Sequence, residues 1–237
     1  MCDHCGCGAP HPHDPLHAHG AGQGHPPPTR NVDVRKPALE LNQRLADQNR
    51  GWFRAKGLKT FNLLSAPGSG KTALLERTLR ALPRAAAIVG DLQTENDADR
   101  LRAAGAQAIQ IVTGATCHLD AHMVAHALER LDATGLDVLF IENVGNLVCP
   151  ASYDLGEDKR VVLLSVTEGE DKPLKYPVIF RRADLVVVSK IDLAEAVGFD
   201  RAKTWAAIRQ TAPRAEILET SAKTGAGFDA WLAWLAR

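Results

Sequence analysis

The segment Ser65-Ala66-Pro67-Gly68-Ser69-Gly70-Lys71-Thr72 holds the residue types that grip a chain of phosphates. Glycines let successive backbone N–H groups turn toward phosphate oxygens at a helix N-terminus. A lysine there neutralises the β- and γ-phosphates, and a threonine hydroxyl reaches Mg²⁺. Ser65 stands where the pattern ordinarily has its first glycine, a position that only enters the turn. Gly68, Ser69, Gly70, Lys71, Thr72 and Ala73 are therefore the candidate contacts to a nucleoside triphosphate, with Lys71 also a candidate catalytic group. Hydrolysis needs acids at the carboxyl ends of neighbouring strands to place a metal and a water. Asp91 follows the apolar run Ala86–Val89 and Gly90, and Glu142 follows Val138–Ile141. With Thr72 they form the candidate Mg²⁺ set. Asp97, close behind Asp91 and Thr94, either orients the water or caps a helix.

A second constellation reads the base. Leu185-Val186-Val187-Val188-Ser189-Lys190-Ile191-Asp192 is an apolar strand that ends in polar residues. The Asp192 carboxylate can accept from guanine N1–H and N2–H₂, a donor pair that adenine lacks, while the Lys190 stem covers the ring. Ser189 occupies the place where such sites usually carry asparagine, at a cost of about 1 kcal/mol of support. Ser221, Ala222 and Lys223 lie in a later loop that resembles the one whose backbone N–H donates to guanine O6 in such sites.

A third set consists of metal ligands. Cys2-Asp3-His4-Cys5-Gly6-Cys7 packs three thiols and an imidazole around a flexible glycine. Soft donors of this kind suit Ni²⁺, Zn²⁺ or Cu⁺ better than Mg²⁺. Cys2, Cys5 and Cys7 are the candidate ligands there. The other histidines of that stretch are either a loose metal reservoir or a leader without a role. Farther on, Cys117-His118 is predicted to open a helix, and Cys149 lies seven residues after Glu142. Taken singly, each cysteine reads equally as a small buried apolar residue. As ligands, three donors make either an open site or one completed by a second subunit. His122 and His126 recur at helical spacing from His118, as supporting groups or as solvated residues.

These groups must be carried by a scaffold. Seven short apolar segments alternate with helical stretches: 61–64, 86–89, 109–112, 138–141, 161–166, 185–188 and 216–219. That alternation predicts an α/β fold with a doubly wound, mostly parallel sheet. An amphipathic helix is predicted from about Val34 to Lys56, on Leu39, Leu41, Leu45, Trp52 and Phe53. Residues 1–33, with six of the nine histidines, three of the five cysteines and Pro26-Pro27-Pro28, cannot build a core. They read as a flexible metal-binding tail, and 34–237 as the nucleotide domain. Lys+Arg and Asp+Glu both total 28, so no summed field draws nucleic acid or an anionic membrane. No apolar run approaches the roughly 20 residues of a spanning helix, and the chain reads as cytoplasmic. In that compartment an odd number of cysteines favours metal or redox chemistry over a disulfide framework.

From about residue 35 to the end the chain resembles the HypB family, the hydrogenase nickel-incorporation GTPases of the SIMIBI class of P-loop proteins. The resemblance rests on Ser65–Thr72, Gly90–Asp97, Thr113–Leu119, Glu142–Pro150, Glu168–Pro177 and Lys190-Ile191-Asp192. Cys2-x-x-Cys5-Gly6-Cys7 is similar to a nickel motif found in some members. The resemblance implies slow GTP hydrolysis with Mg²⁺ and delivery of Ni²⁺, with Zn²⁺ as an alternative ion, to the large subunit of a nickel-iron hydrogenase. It also implies a GTP-dependent homodimer and cooperation with a HypA-like zinc protein. A urease-type nickel GTPase competes, but it has histidine where this chain has Ala151 after Cys149-Pro150. A metal-storage protein with a vestigial nucleotide site also competes. The intact set Gly70, Lys71, Thr72, Asp91, Glu142 and Asp192 argues against it.

Overall fold

A computed structural model describes residues 35–93 and 95–237. Cys2, Cys5, Cys7 and Thr94 lie outside the described residues. Helix α1 spans Arg35–Lys56, followed by β1 Lys59–Ser65, α2 Lys71–Ala81, β2 Ala85–Asp91, α3 Asn96–Ala103, β3 Gln107–Val112 and α4 Ala121–Leu128. Then come β4 Val138–Glu142, β5 Lys159–Ser165, α5 Lys172–Lys175, α6 Pro177–Arg181, β6 Leu185–Ser189, α7 Arg201–Thr211, β7 Glu216–Thr220 and α8 Phe228–Leu235. The strands form one sheet in the order β3-β2-β4-β1-β5-β6-β7, with every adjacent pair parallel. All carboxyl ends therefore point the same way. The chain runs from central β1 to β2 on one side and crosses to the other side between β4 and β5, and ligands gather at the crevice such a reversal creates.

Side chains alternate across each strand. Phe61, Leu63, Phe140, Val161, Leu163 and Val187 pack on one face with α2, α3 and α8 in a continuous apolar cluster. The opposite face carries two clusters. One joins Leu64, Val162, Leu164, Val186 and Val188 to Phe180 and Ile208. The other joins Ile88, Leu139 and Ile141 to Phe53, Val124 and Leu128. Between them β1 contributes buried polar residues, Thr60 and Asn62. Thr60 donates to Asp158 (2.9 Å), and Asn62 Nδ2 donates to Glu157 Oε1 (3.2 Å), which Arg160 also reaches at 2.6 Å.

Helix α1 forms where the pattern predicts it but turns a different face inward. Leu39 and Leu41 are exposed, and the buried stripe is Asn42, Ala46, Asn49 and Phe53. Hydrogen bonding explains the burial of the two amides. Asn42 donates to Asp154 O (2.8 Å) and accepts from Ala121 N (2.9 Å). Asn49 Nδ2 lies 2.9 Å from Ala121 O and 3.1 Å from Leu155 O. An apolar count has no way to see an inward face made of satisfied amides.

Candidate functional site

The loop between β1 and α2 is shaped by its glycines. Gly68 and Gly70 have φ of 73° and 96°, the left-handed region that glycine enters without a steric penalty. Lys71 and Thr72 open α2 and are buried. Lys71 Nζ donates to Ser65 Oγ at 2.9 Å, so Ser65 holds the lysine head rather than merely entering the turn. Burial pushes the Lys71 ammonium below its ordinary value, while Glu142, Asp97, Glu168 and Asp91 pull it back up. Thr72 Oγ1 donates to Glu142 Oε1 at 2.7 Å. The other oxygen, Glu142 Oε2, is buried without a hydrogen-bond partner. A hydroxyl beside an unpartnered carboxylate oxygen at the mouth of a phosphate loop is a donor set that fits Mg²⁺.

The structure brings Thr72, Glu142 and the charges of Asp91 and Asp97 to one place. Asp91 ends β2, and its Oδ1 accepts from Leu92 N at 2.6 Å. Asp97 sits inside the first turn of α3 rather than at its cap, which is Glu95. Its carboxylate lies 3.6 Å from Arg100. Glu168 reaches the loop as well, from the start of the segment 168–177 that contributes to the resemblance. Its Oε1 lies 2.6 Å from Ser69 Oγ and accepts from Ser165 N at 3.0 Å.

Burial pushes the Glu142 carboxyl up to about 7. Its folded value lies above the ordinary 4.5, so the native state holds the proton more tightly than the unfolded chain. Stability from this group is fully present below about 4.5 and is lost as pH rises to about 7. Glu142→Gln is therefore expected to be more stable than wild type at pH 8, by about 1–3 kcal/mol, with a much smaller difference at pH 5. Urea unfolding of the metal-free chain at both pH values measures this, and a pH-independent difference would exclude a buried, proton-holding Glu142.

A cavity of about 300 Å³ opens beside the loop, lined by Ser69, Gly70, Ala73, Ser189, Lys190, Asp192, Ala222 and Lys223 among others. Lys190 has φ 58°, a costly conformation for a side-chain-bearing residue that marks functional turns. Its Nζ donates to Gly68 O at 2.6 Å. Ser189 Oγ donates to Ser69 O at 2.7 Å, so the serine itself ties the base strand to the phosphate loop. Ser221 Oγ donates to Asp192 Oδ1 at 2.5 Å, which fixes the carboxylate at the cavity wall. Arg77, which no motif singled out, reaches Ala222 O at 3.3 Å and lies over the Phe228 ring.

On the other side of Glu142, Cys117, His118 and Cys149 place one ligand atom each within 4.8 Å of one another. The first two do not open a helix. They lie in the loop before α4, which Asp120 caps by accepting from Met123 N at 2.8 Å. The loop is free of the helical repeat, so its ring and thiol can converge on Cys149. His118 Nδ1 is buried without a partner, and its ring stacks on Tyr153 at 3.9 Å. Burial pushes the imidazole below its ordinary value, which keeps it neutral and able to ligate. Cys117 and then burial push the Cys149 thiol up. Two thiols and a neutral imidazole facing one point fit a soft or borderline divalent cation. His122 and His126 share no face with His118; they are exposed on α4.

Buried contacts join the two centres. Asn143, directly after Glu142, accepts from Leu119 N (3.1 Å) and Val144 N (3.0 Å) and donates to Asn62 (3.4 Å). Asn146 donates to Cys117 O at 3.3 Å. A Cβ on Gly145 would stand 2.9 Å from Pro67 Cα, and one on Gly90 would stand 2.7 Å from the Leu119 side chain. The phosphate loop and the metal loop thus both pack directly on the strand ends that carry Glu142 and Asp91.

A parallel sheet with a glycine-shaped phosphate cradle after its central strand defines a P-loop nucleotide-binding domain. The pattern for the CobW/HypB/UreG nucleotide-binding domain matches residues 59–219. The hydrogenase maturation factor HypB of Azotobacter vinelandii is 50% identical over 226 residues, covering 94% of this chain and 74% of that protein. The crystal structure of HypB from Helicobacter pylori in complex with nickel superimposes with a TM-score of 0.80 at 41% identity, covering 83% of this chain and 94% of the other. For HypB of Archaeoglobus fulgidus the values are 0.77, 47%, 83% and 98%. The chain belongs to the HypB family of hydrogenase maturation factors.

Proposed function

We propose that this protein is a GTP-hydrolysing metallochaperone that binds nickel and delivers it during nickel-iron hydrogenase maturation. GTP lies with its phosphates on residues 65–72 and its base against Lys190, Asp192 and the loop Ser221-Ala222-Lys223. Mg²⁺, held by Thr72, Asp91 and Glu142, supplies charge neutralisation at the phosphates. Lys71 binds the β- and γ-oxygens, and Asp91 and Asp97 are the acids that orient the attacking water. Ni²⁺ is the cargo of Cys117, His118 and Cys149, with Zn²⁺ the competing ion, and the remaining coordination comes from water, a recipient or a second subunit. Residues 1–33, through Cys2, Cys5 and Cys7, form a second ligand set. The working assembly is a GTP-dependent homodimer in the cytoplasm that meets a HypA-like zinc protein and the hydrogenase large subunit. Among the described residues no helix is long and apolar enough to cross a membrane.

The observation that carries this reading is the Asn143 bridge. It joins the backbone beside His118 to the residue after Glu142, which bonds Thr72 of the phosphate loop. Two sites that share a strand end bias one another's conformations, and linkage makes the effect reciprocal. Equilibrium dialysis of Ni²⁺ against the full chain tests it. A GTP analogue is expected to change Ni²⁺ affinity at one site by roughly 5–150-fold relative to GDP. Cys117→Ser/Cys149→Ser removes the responsive ion, and Asn143→Ala keeps both ligands bound but shrinks the response. Equal Ni²⁺ affinity with either nucleotide would overturn the proposal.

A further inference from the structure

Ser69 stands in the middle of the phosphate loop and is almost wholly buried. Its hydroxyl lies 2.8 Å from Ala66 O and 2.6 Å from Glu168 Oε1. One hydroxyl proton cannot serve both acceptors fully, and the shorter contact has the length of a charge-assisted bond to a carboxylate. Glu168 is itself held from behind. Its backbone N–H donates to Ser165 O at 3.0 Å, and its Oε1 accepts from Ser165 N at 3.0 Å. Gly169, at φ 90°, then turns the chain away in a conformation that glycine enters without a steric penalty. Ser165 ends β5, the strand that pairs with β1, from which the loop springs. The carboxylate is thus a strut between the end of β5 and the loop, with 12% of the side chain exposed. A second tie comes from β6, where Ser189 Oγ donates to Ser69 O.

We propose that Glu168 is a positioning residue for the nucleotide: acting through Ser69 Oγ, it holds the loop amides in register with the α- and β-phosphates and touches no substrate atom itself. The assignment rests on the GTP reading given above. In phosphate loops the backbone N–H groups cradle the α- and β-phosphates, while the lysine reaches the β- and γ-phosphates. GTP and GDP present the first pair alike. An interaction made equally with substrate, product and transition state is uniform binding, which sets KM and leaves kcat alone.

The contacts of this carboxylate separate it from the acids around Mg²⁺. Its Oε1 is occupied by two protein donors, and its Oε2 is buried 3.8 Å from Lys172 Nζ. Its charge is also not the main one felt by Lys71. There burial acts first, then Glu142 and Asp97, and Glu168 only after them. What Glu168 supplies that no other residue does is the direct bond to the loop hydroxyl.

The experiment uses the full chain with Mg²⁺ and compares Glu168→Ala, Glu168→Gln, Ser69→Ala and the Glu168→Ala/Ser69→Ala double variant. Glu168→Ala should weaken GTP and GDP by the same factor, roughly 5–30-fold. KM should rise in step, with kcat within about twofold of wild type. Glu168→Gln keeps an oxygen for Ser69 Oγ and Ser165 N and should recover most of the loss. The double variant should bind no more weakly than the weaker single one, because both changes remove the same contact. Thermal unfolding of the nucleotide-free variants shows that they are folded. Equal losses in the alanine and glutamine variants would assign the effect to charge, and additive losses in the double variant would assign it to separate contacts. Unchanged affinity in Glu168→Ala would leave a purely structural side chain. Each of these results would overturn the proposal, and a wild type that binds neither GTP nor GDP would overturn the nucleotide reading with it.

Discussion

Replacing Asp192 by asparagine is expected to exchange the preference of this protein from GTP to xanthosine triphosphate. The amide keeps an acceptor for the N1–H of the ring and gains a donor for the C2 carbonyl of xanthine, while it meets the guanine amino group donor to donor. Sites built on hydrogen bonds to a polar edge discriminate by about 10⁴, and a reversal of that order is the outcome sought. The geometry favours a clean result. Ser221 fixes one oxygen of the side chain at 2.5 Å, and the isosteric amide retains that contact through its own oxygen. Competition kinetics with both nucleotides provide the measurement. A variant that still takes GTP over its analogue would show that the base is read elsewhere.

The second large effect is at Lys71. Lys71→Ala should slow hydrolysis of GTP by roughly 10²–10³-fold, the cost of removing one preorganised charge from a transition state. Lys71 heads α2 with its ammonium on Ser65, surrounded by the charges of Glu142, Asp97, Glu168 and Asp91. Without the lysine these acids repel one another and the triphosphate, so nucleotide affinity falls as well. Ni²⁺ binding at Cys117, His118 and Cys149 should persist, because no contact of that loop passes through the lysine. Single-turnover assays beside Ni²⁺ dialysis on the same preparation separate the two. Turnover at the wild-type rate would remove the phosphate loop from the mechanism.

The strands were legible because parallel strands buried on both faces read as continuous apolar runs, and each of the seven segments lies in an observed strand within a residue or two. The phosphate loop was legible because its glycines and lysine sit at fixed spacing. What stayed hidden shares a cause. Asn42, Asn49 and Asn143 are buried amides whose partners lie far along the chain, and polarity in a sequence reads as exposure until those partners are known. The helix expected at Cys117 failed for a local reason. Asp120 is the better cap, so the helix starts after it and leaves the two donors on a loop. Glu168 and Arg77 act on the loops through side-chain reach alone, and nothing in their neighbours' periodicity marks it.

The polar line of Thr60 and Asn62 along β1 has a mechanical consequence. On that face two apolar plates, one under β2 and β4 and the other under β5 and β6, meet at a joint made of directional bonds. Shearing an apolar core opens voids and is resisted throughout its volume. Shearing along such a joint trades one acceptor for another and leaves each plate intact. The other face, where one cluster runs across β1 without a break, has no such compliance. One side of the sheet is therefore expected to be stiffer than the other, with any flexure concentrated about the central strand, as in a laminate with one scored surface. Strand β6, which leads into Lys190 and Asp192, lies to one side of the score. The strand ends that carry Asp91, Glu142 and the neighbouring Cys117-His118 loop lie to the other, so a flexure along it would change the distance between the proposed nucleotide and metal sites without unpacking either half.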